Sequence, residues 1–371
     1  MSEITLLLLG AGSSSRFGLP VKKQWLWIDD DPLWLFVARR FESMGFSDIL
    51  ITAAKEEKPL FERYCHFRLV EGGSSRQESV QKALELVRTP YVMVSDIARV
   101  CVPQSIVAAL IAKKDEAACI APAITPPDTV VYRNETIDRS EVRLVQTPQL
   151  VRTDLLKEAL KQGTFTDESS AIRALGKEVL YIPGSEAAKK LTFKEDLTYL
   201  PCLKPPSDRR RTGFGLDVHA FCEGRPLKLC GVEIPHTHGL AGHSDADVAI
   251  HALIDALLGA AGFGDIGELF PDSDAAYKNI DSTLLLEQTA KLLIKCGFVI
   301  EHIDLTIAAQ APKLQGFKPA MQKRIAQILE LPLHACNIKA TTTEKLGFVG
   351  RKEGIMALAN ATLKYYDWSG K

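Results

Sequence analysis

Two groups of residues have the types and spacing for phosphate chemistry. The first is Leu9-Gly-Ala-Gly-Ser-Ser-Ser-Arg-Phe-Gly18, followed by Lys22-Lys23-Gln24. Glycines such as Gly10 and Gly12 let backbone N–H groups reach phosphate oxygens. Nucleotidyl transfer develops charge on the α-phosphate and the leaving pyrophosphate, and fixed cations such as Arg16 and Lys23 stabilise it. The loop is neither of two familiar phosphate loops. No Gly-Lys-Ser/Thr closes it, and Ser15 stands where a dinucleotide fingerprint has its third glycine. Gly72-Gly-Ser-Ser-Arg-Gln-Glu-Ser79 offers a second close-approach backbone with hydroxyls. Asp96 follows an apolar run, where it suits a metal ion on a triphosphate or else a turn or helix cap.

The second group centres on Asp217-Val-His219. On a strand, that spacing turns both side chains to one face. His251 falls on a helix read over residues 245–261. Asp and His suit Zn²⁺, and three protein ligands leave one position open for catalysis. Neither a lone histidine nor Asp-x-His says much, but His243-Ser244-Asp245 lies close by. Five of the eight histidines fall within residues 219–251, so the clustering favours a site.

These groups need elements to hold them. Continuous apolar runs at Ile4–Leu9, Ile49–Ala53 and 91–94 read as strands buried on both faces. Leu33, Phe36, Val37, Phe41 and Met44, then Val80, Ala83, Leu84 and Val87, follow helical spacing. The alternation predicts an α/β fold: an N-terminal doubly wound, mostly parallel sheet, Rossmann-like, whose ligands bind at the carboxyl ends of the strands. The Gly10 loop and Asp96 both fall at such ends. Residues 201–211 hold three prolines and then three arginines, which suits a linker with a solvated charge run. The expected domains are 1–210 and 211–371. In the second, smaller α/β (α+β) domain, Ile303, Leu305 and Ile307 alternate as a strand. Met321, Ile325, Ile328 and Leu329 form a helical stripe, and 337–340 is a further strand.

Composition bounds the function. With 46% hydrophobic and 25% charged residues the chain is of ordinary globular type, which excludes disorder, collagen and coiled coil. Residues 1–210 hold 29 basic and 28 acidic groups and the remainder 16 and 18, summing to a net charge of −1. Neither half has the basic excess of a nucleic-acid or anionic-membrane binder. Eight cysteines show no CxxC pair, so reduced thiols in the cytoplasm are expected. No basic segment precedes Leu6, and no run of about 18 apolar residues exists.

The ordered motifs of the first half resemble the 2-C-methyl-D-erythritol 4-phosphate cytidylyltransferase family, IspD. They are Gly-Ala-Gly-x-x-x-Arg, Lys-Gln, Gly-Gly-x-x-Arg-x-x-Ser, Asp-x-Ala-Arg, Asp-Thr, Thr-Pro-Gln and Thr-Asp-Glu, over about residues 4–200. The resemblance implies CTP + methylerythritol phosphate → CDP-methylerythritol + diphosphate. It implies that Gly10, Ala11 and Gly12 cradle phosphate and that Arg16 and Lys23 stabilise the transition state. Gly73 and Ser79 would read cytosine, and Asp96 would bind Mg²⁺ or the ribose side. Arg99, Thr129, Arg139, Thr147, Thr166 and Lys190 would line the sugar-phosphate pocket, Arg139 and Lys190 positioning the acceptor. Three departures stand out: Ser14 for a glycine, Asp96-Ile-Ala-Arg-Val100 for Asp-Ala-Ala-Arg-Pro, and Val131 for a polar residue.

The second half resembles the 2-C-methyl-D-erythritol 2,4-cyclodiphosphate synthase family, IspF, over about residues 211–366. Six strings carry this in order, among them Phe214-Gly-Leu-Asp-Val-His219, Gly264-Asp-Ile-Gly267, Ala309-Gln-Ala-Pro-Lys313 and Lys339-Ala-Thr-Thr-Thr-Glu-Lys-Leu-Gly-Phe348. Ala246 replaces a common glycine, a change small enough to be expected silent. The implied reaction converts CDP-methylerythritol 2-phosphate into the cyclodiphosphate and CMP. Asp217, His219 and His251 would hold Zn²⁺, with Mg²⁺ or Mn²⁺ near Glu344; divalent metal is implied at both sites. His243 and Thr342 would fix phosphate oxygens in the transition state. Ser244, Asp265, Ile266, Gly267, Phe270, Pro271, Asp272 and Asp274 would surround the methylerythritol. Ala309, Lys313, Thr341, Thr343, Glu344, Phe348 and Arg351 would form the cytidine and phosphate pocket. Taken singly, Asp265 also reads as a helix cap, Lys313 as a surface lysine and 341–343 as a strand end.

Together the halves resemble the bifunctional IspDF family. The two reactions are not consecutive, and no kinase signature is present. The resemblance implies a trimer through the synthase domain, a dimer through the transferase domain and a hexamer from both; the fusion either organises an assembly with a separate CDP-methylerythritol kinase or merely co-regulates two steps. Two alternatives stay open here: an active synthase fused to a catalytically silent nucleotide-binding scaffold, and an unrelated dinucleotide-binding oxidoreductase.

Overall fold

The computed structural model describes residues 2–271 and 273–370, and these divide into two units. The first comprises residues 2–205 with 368–370; the second comprises 206–367.

In the first unit the three expected apolar runs form buried parallel strands, and an unexpected fourth strand, 68–71, joins them at the edge. They are β1 (Ile4–Leu9), β2 (Ile49–Ala53), β3 (Arg68–Glu71) and β4 (Tyr91–Asp96). Further along come β5 (Cys119–Ile124), the hairpin β6 (Val130–Tyr132) and β7 (Glu135–Ile137), then β8 (Leu144–Val145), β9 (Gln149–Arg152) and β10 (Val179–Pro183). The eight-stranded sheet runs β8-β5-β9-β4-β1-β2-β3, with β10 on β5. Pairings β1–β2, β1–β4, β2–β3 and β5–β10 are parallel, while β9 is inserted antiparallel. Helices α1 (Leu33–Ser43) and α2 (Arg76–Leu84) follow the predicted apolar stripes. Val80, Ala83, Leu84 and Val87 pack with Leu7, Leu50 and Val92 in one core. The β6–β7 hairpin stands apart from the sheet, and Val131 and Tyr132 on it are 61% and 59% exposed.

The second unit has a five-stranded sheet. Its strands are β11 (Arg211–Cys222), β12 (Gly239–Leu240), β13 (Phe298–Ala308), β14 (Cys336–Thr341) and β15 (Gly354–Tyr365), ordered β12-β11-β15-β13-β14. Helix α3 (Val248–Ala261) lies directly on β11. It can because Gly213 and Gly215 face it: a Cβ there would sit 2.0 Å from Ala256 O and 2.0 Å from Ala252 O. Asp217 and His219 continue that face, so the close approach brings His251 to them. The opposite face of β11 carries Phe214, Leu216 and Val218, 58%, 49% and 43% exposed.

Four expectations are corrected. Cys101 and Cys202 form a disulfide, Cα–Cα 5.6 Å, although 101 residues separate them. The loop after β4 and the end of the first unit meet in space, which no sequence spacing reveals. Cys65, Cys119, Cys222, Cys230, Cys296 and Cys336 are free. The arginine run is not merely solvated: Arg210 pairs with Glu301, and Arg211 Nε donates to Ala260 O at 2.8 Å. Helix α3 starts at Val248 rather than 245, because Asp247 caps it, accepting from Ile250 N–H at 3.1 Å. Finally, Ala246 has φ +62°, so the residue that replaces a glycine is conformationally costly, not silent. Among the described residues no helix is long and apolar enough to cross a membrane.

Candidate functional site

At the carboxyl ends of β1 and β4 lies a cavity of about 500 Å³. Gly10, Ala11, Gly12, Arg16, Lys23, Gly73, Ser79, Asp96 and Lys190 line it. Gln24, buried beneath, fixes the loop: its Nε2 donates to Gly12 O (3.0 Å) and Glu57 (3.1 Å). Ser14 has φ +60°, the conformation that glycine adopts freely. Its hydroxyl donates to Gln24 Oε1 (2.8 Å) and accepts from Lys23 N–H (3.1 Å), so a serine serves here through its side chain. Burial holds the Lys23 ammonium below its ordinary pKa, and Lys190 and Arg16 add to this.

Asp96 opens a turn, its carbonyl accepting from Arg99 N–H at 2.9 Å, while its carboxylate turns into the cavity. Its Oδ2 accepts from Lys190 Nζ at 2.6 Å, and its Oδ1 lies 3.4 Å from Arg76 Nε. Burial pushes its pKa up, but Arg76 and Lys190 outweigh that and hold it below the usual carboxylate range. Arg76 also forks onto Glu168 at 2.7 and 2.9 Å. Sequence reasoning quoted Arg76 inside a motif without giving it a role; its place in Gly-Gly-x-x-Arg was the available signal. Thr147 touches Asp96, its Oγ1 accepting from the Asp96 N–H at 3.5 Å, and Arg99 donates to Ala188 O at 2.7 Å. Thr129 and Arg139 are exposed beside the β6–β7 hairpin, Arg139 bonded to Pro127 O, and Thr166 is exposed before the cap Asp167. Within one chain these three do not line the cavity.

In the second unit a cavity of about 460 Å³ is lined by Asp217, His219, His243, Ser244, His251, Asp255, Ile266, Gly267 and Phe270, with Tyr277 and Lys278. Asp217 Oδ2 lies 2.9 Å from His219 Nε2 and 3.2 Å from His251 Nδ1. Among the described residues this trio is the one group of three His, Cys, Asp or Glu able to hold a metal, with ligand atoms within 4.8 Å of one another. The donor set fits Zn²⁺. His219 Nδ1 is bonded to the carbonyl of Ala241, which only accepts, so the neutral ring turns a bare Nε2 towards Asp217. Burial pushes Asp217 up, yet its bonds to His219 and His251 hold it well below the carboxylate range. Asp255, one helical turn after His251, was missed. It accepts from Ile266 N–H at 2.8 Å, and burial raises its pKa, reinforced by Asp265 and Asp217.

Asp265 caps the short helix α4 (Ile266–Leu269), accepting from Glu268 N–H at 2.9 Å. Asp274 accepts from Ala276 N–H at 3.0 Å, and Pro271 O accepts from Asp274 N–H at 2.9 Å. Asp272 lies outside the described residues. The other expected residues gather elsewhere. Ala309 N–H donates to Thr341 O (3.0 Å), Lys345 N–H to Gln310 Oε1 (3.2 Å) and Thr342 Oγ1 to Glu344 Oε1 (2.8 Å). Thr343 Oγ1 donates to Leu346 O, Arg351 pairs with Glu353, Lys313 is exposed and Phe348 half-buried. None of these lines the metal-side cavity.

A glycine loop with paired cations at the strand ends of an open α/β sheet suits a nucleotidyltransferase, and the Asp-His trio suits a metal-dependent enzyme. Family models match in the same order: 2-C-methyl-D-erythritol 4-phosphate cytidylyltransferase over residues 4–201 and the YgbB family over 210–364. The chain is 62% identical over 371 residues to the bifunctional enzyme IspD/IspF of Nitratiruptor sp., covering 100% of both, and 51% identical to that of Sulfurovum sp., again covering 100% of both. A solved structure of bifunctional IspDF from Campylobacter jejuni matches with TM-score 0.90 at 48% identity, covering 99% of this chain and 100% of that one. The chain belongs to the bifunctional IspD/IspF family of non-mevalonate isoprenoid biosynthesis and carries both of its catalytic domains. That excludes the oxidoreductase reading and disfavours the silent-scaffold one.

Proposed function

We propose that residues 1–210 convert CTP and 2-C-methyl-D-erythritol 4-phosphate into CDP-methylerythritol and diphosphate. Residues 211–371 then convert CDP-methylerythritol 2-phosphate, made by a separate kinase, into the 2,4-cyclodiphosphate and CMP. The observation that carries this is the pair of charge constellations: Arg16, Lys23, Lys190 and Asp96 around one cavity, and Asp217, His219 and His251 around the other.

In the first cavity the Gly10–Gly12 backbone and Arg16 hold the triphosphate, and Lys23 meets charge developing on the α-phosphate. Gly73 and Ser79 face the base. Lys190 leaves Asp96 to position the acceptor phosphate for in-line attack. Arg139 completes that pocket from the hairpin of a second copy; its exposure, with Val131 and Tyr132 beside it, supports a dimer there. In the second unit His243 and Ser244 hold phosphate oxygens, and Ile266, Gly267 and Phe270 enclose the methylerythritol. Thr341–Glu344 and Lys313 reach the same substrate from a second copy, supported by the exposed apolar face of β11, which suits a trimer. Asp217, His219 and His251 would hold Zn²⁺, which would supply Lewis acidity at the β-phosphate, and Asp96 and Glu344 would hold Mg²⁺ or Mn²⁺, which would offset phosphate charge. Dimer and trimer contacts together give a hexamer, onto which the kinase docks in the cytoplasm.

The test follows each half separately. Diphosphate release from CTP and methylerythritol phosphate is expected to vanish in Arg16→Ala while CMP release persists; Asp217→Ala does the reverse. Loss of both activities from either substitution in a folded protein overturns the two-site assignment.

A further inference from the structure

Beneath the glycine loop of the first unit, a buried carboxylate outside every motif string holds the side chain that holds the loop. Glu57 stands in the turn after β2, its N–H donating to Ala54 O at 2.9 Å. Strand β2 pairs with β1, so this turn lies beside the loop, where Gly10 N–H donates to Thr52 O at 3.0 Å. Trp25 Nε1 (2.9 Å) and Lys22 Nζ (3.1 Å) meet Glu57 Oε1, and Gln24 Nε2 (3.1 Å) meets Oε2. The orientation of the Gln24 amide follows from chemistry. Its nitrogen lies against Glu57 and, at 3.0 Å, against Gly12 O, and both of these only accept. Its oxygen therefore faces Ser14, which donates its hydroxyl hydrogen there at 2.8 Å and accepts the Lys23 N–H at 3.1 Å. The bonds run from Glu57 through Gln24 and Ser14 to the backbone of Lys23.

We infer that Glu57 is a positioning residue for nucleotide transfer: it orients Gln24, and through Gln24 and Ser14 it sets the glycine loop and Lys23 for the triphosphate. Glu57 does not line the cavity; Gln24, Ser14 and Lys23 do. An amide in its place would put a nitrogen where only oxygens fit. Two donors meet Oε1 and one meets Oε2, so that nitrogen would settle against Gln24, donor against donor. The Gln24 amide would then lose the bond that orients it, while Trp25 and Lys22 kept theirs. The inference rests on the nucleotide reading of this cavity, but the relay exists without nucleotide.

The test uses the full chain. In Glu57→Gln, kcat/KM for CTP should fall about tenfold, the size of one lost hydrogen bond to a charged group. KM for methylerythritol phosphate and CMP release by the second unit should stay unchanged. Ser14→Ala should cost much less in the Glu57→Gln background than in the unsubstituted protein, because the bond it removes is already misdirected. Without nucleotide, hydrogen–deuterium exchange over residues 10–24 should quicken in Glu57→Gln and in Ser14→Ala. Trp25→Phe removes a donor to Glu57 but leaves the relay, so it should lower the melting temperature without changing kcat/KM for CTP. Additive effects of the Glu57 and Ser14 substitutions, or unchanged exchange, overturn the inference. So does a Trp25→Phe variant as impaired with CTP as Glu57→Gln, which would assign Glu57 to core packing alone. Should Glu57→Gln fail to fold, Glu57→Asp, whose carboxylate is withdrawn by one methylene, takes its place throughout. Absence of diphosphate release by the unsubstituted protein overturns the nucleotide reading instead, leaving the exchange results to judge the relay.

Discussion

Ser14 and Ala246 stand where glycine is usual, and both have positive φ, a conformation costing an L-residue about 1–2 kcal/mol. They differ in what the side chain returns. Ser14 makes two hydrogen bonds that tie the phosphate loop to Gln24 and Lys23. Ser14→Gly, which relieves the strain, should therefore be tolerated better than Ser14→Ala, which keeps it and loses both bonds. The measurements are the KM for CTP and the melting temperature, and equal effects would refute the account. The Ala246 methyl returns nothing of the kind. Ala246→Gly should stabilise the second unit by about 0.5–1 kcal/mol, the strain relief less the extra freedom of the unfolded glycine. A denaturant midpoint that falls would contradict this. Lys23 adds a pH dependence. Burial, Lys190 and Arg16 lower its pKa, so as pH rises its charge is lost earlier than that of an ordinary lysine. The alkaline limb of kcat/KM for CTP should reflect that, and Lys190→Met should move the limb to higher pH.

At the scale of elements, the metal trio depends on α3 lying against β11. A Cβ at Gly215 would meet Ala252 O at 2.0 Å, which cannot be relieved by a side-chain rotation. Gly215→Ala should push helix from strand at a cost of about 1–3 kcal/mol and carry His251 away from Asp217. Zn²⁺ uptake should fall while diphosphate release is spared; unchanged uptake would mean that the close packing does not position the ligands.

At the scale of the whole molecule, the proposed assembly makes its own prediction. Metal-side residues and the 341–344 loop do not share a cavity within one chain, so the proposed site assembled from two copies predicts complementation. Mixing Asp217→Ala chains with Thr342→Ala chains, each inactive in CMP release, should restore a fraction of activity, because some interfaces then join two intact halves. No recovery after subunit exchange would assign both halves to one chain. Phe214→Glu, on the exposed face of β11, should lower the oligomer mass measured by light scattering.

Much of this protein was determined by its sequence. Strands buried on both faces must be continuous apolar runs, so β1, β2 and β4 were legible, and with them the strand ends that carry Gly10 and Asp96. Phosphate and metal chemistry demand particular residue types, so Arg16, Lys23, Asp217, His219 and His251 could be named from type and order. Tertiary structure decided what depends on approach across long stretches of chain. It brought Cys101 to Cys202, Arg76 between Asp96 and Glu168, and Glu57 to Gln24 and Trp25. It also decided the cost of Ala246, since φ is set by the path of the backbone, and it kept the 341–344 loop out of the metal-side cavity. A side chain's type is written in the sequence, but its partner, the direction of its hydrogen bond and the sign of its pKa shift belong to the neighbours that folding supplies.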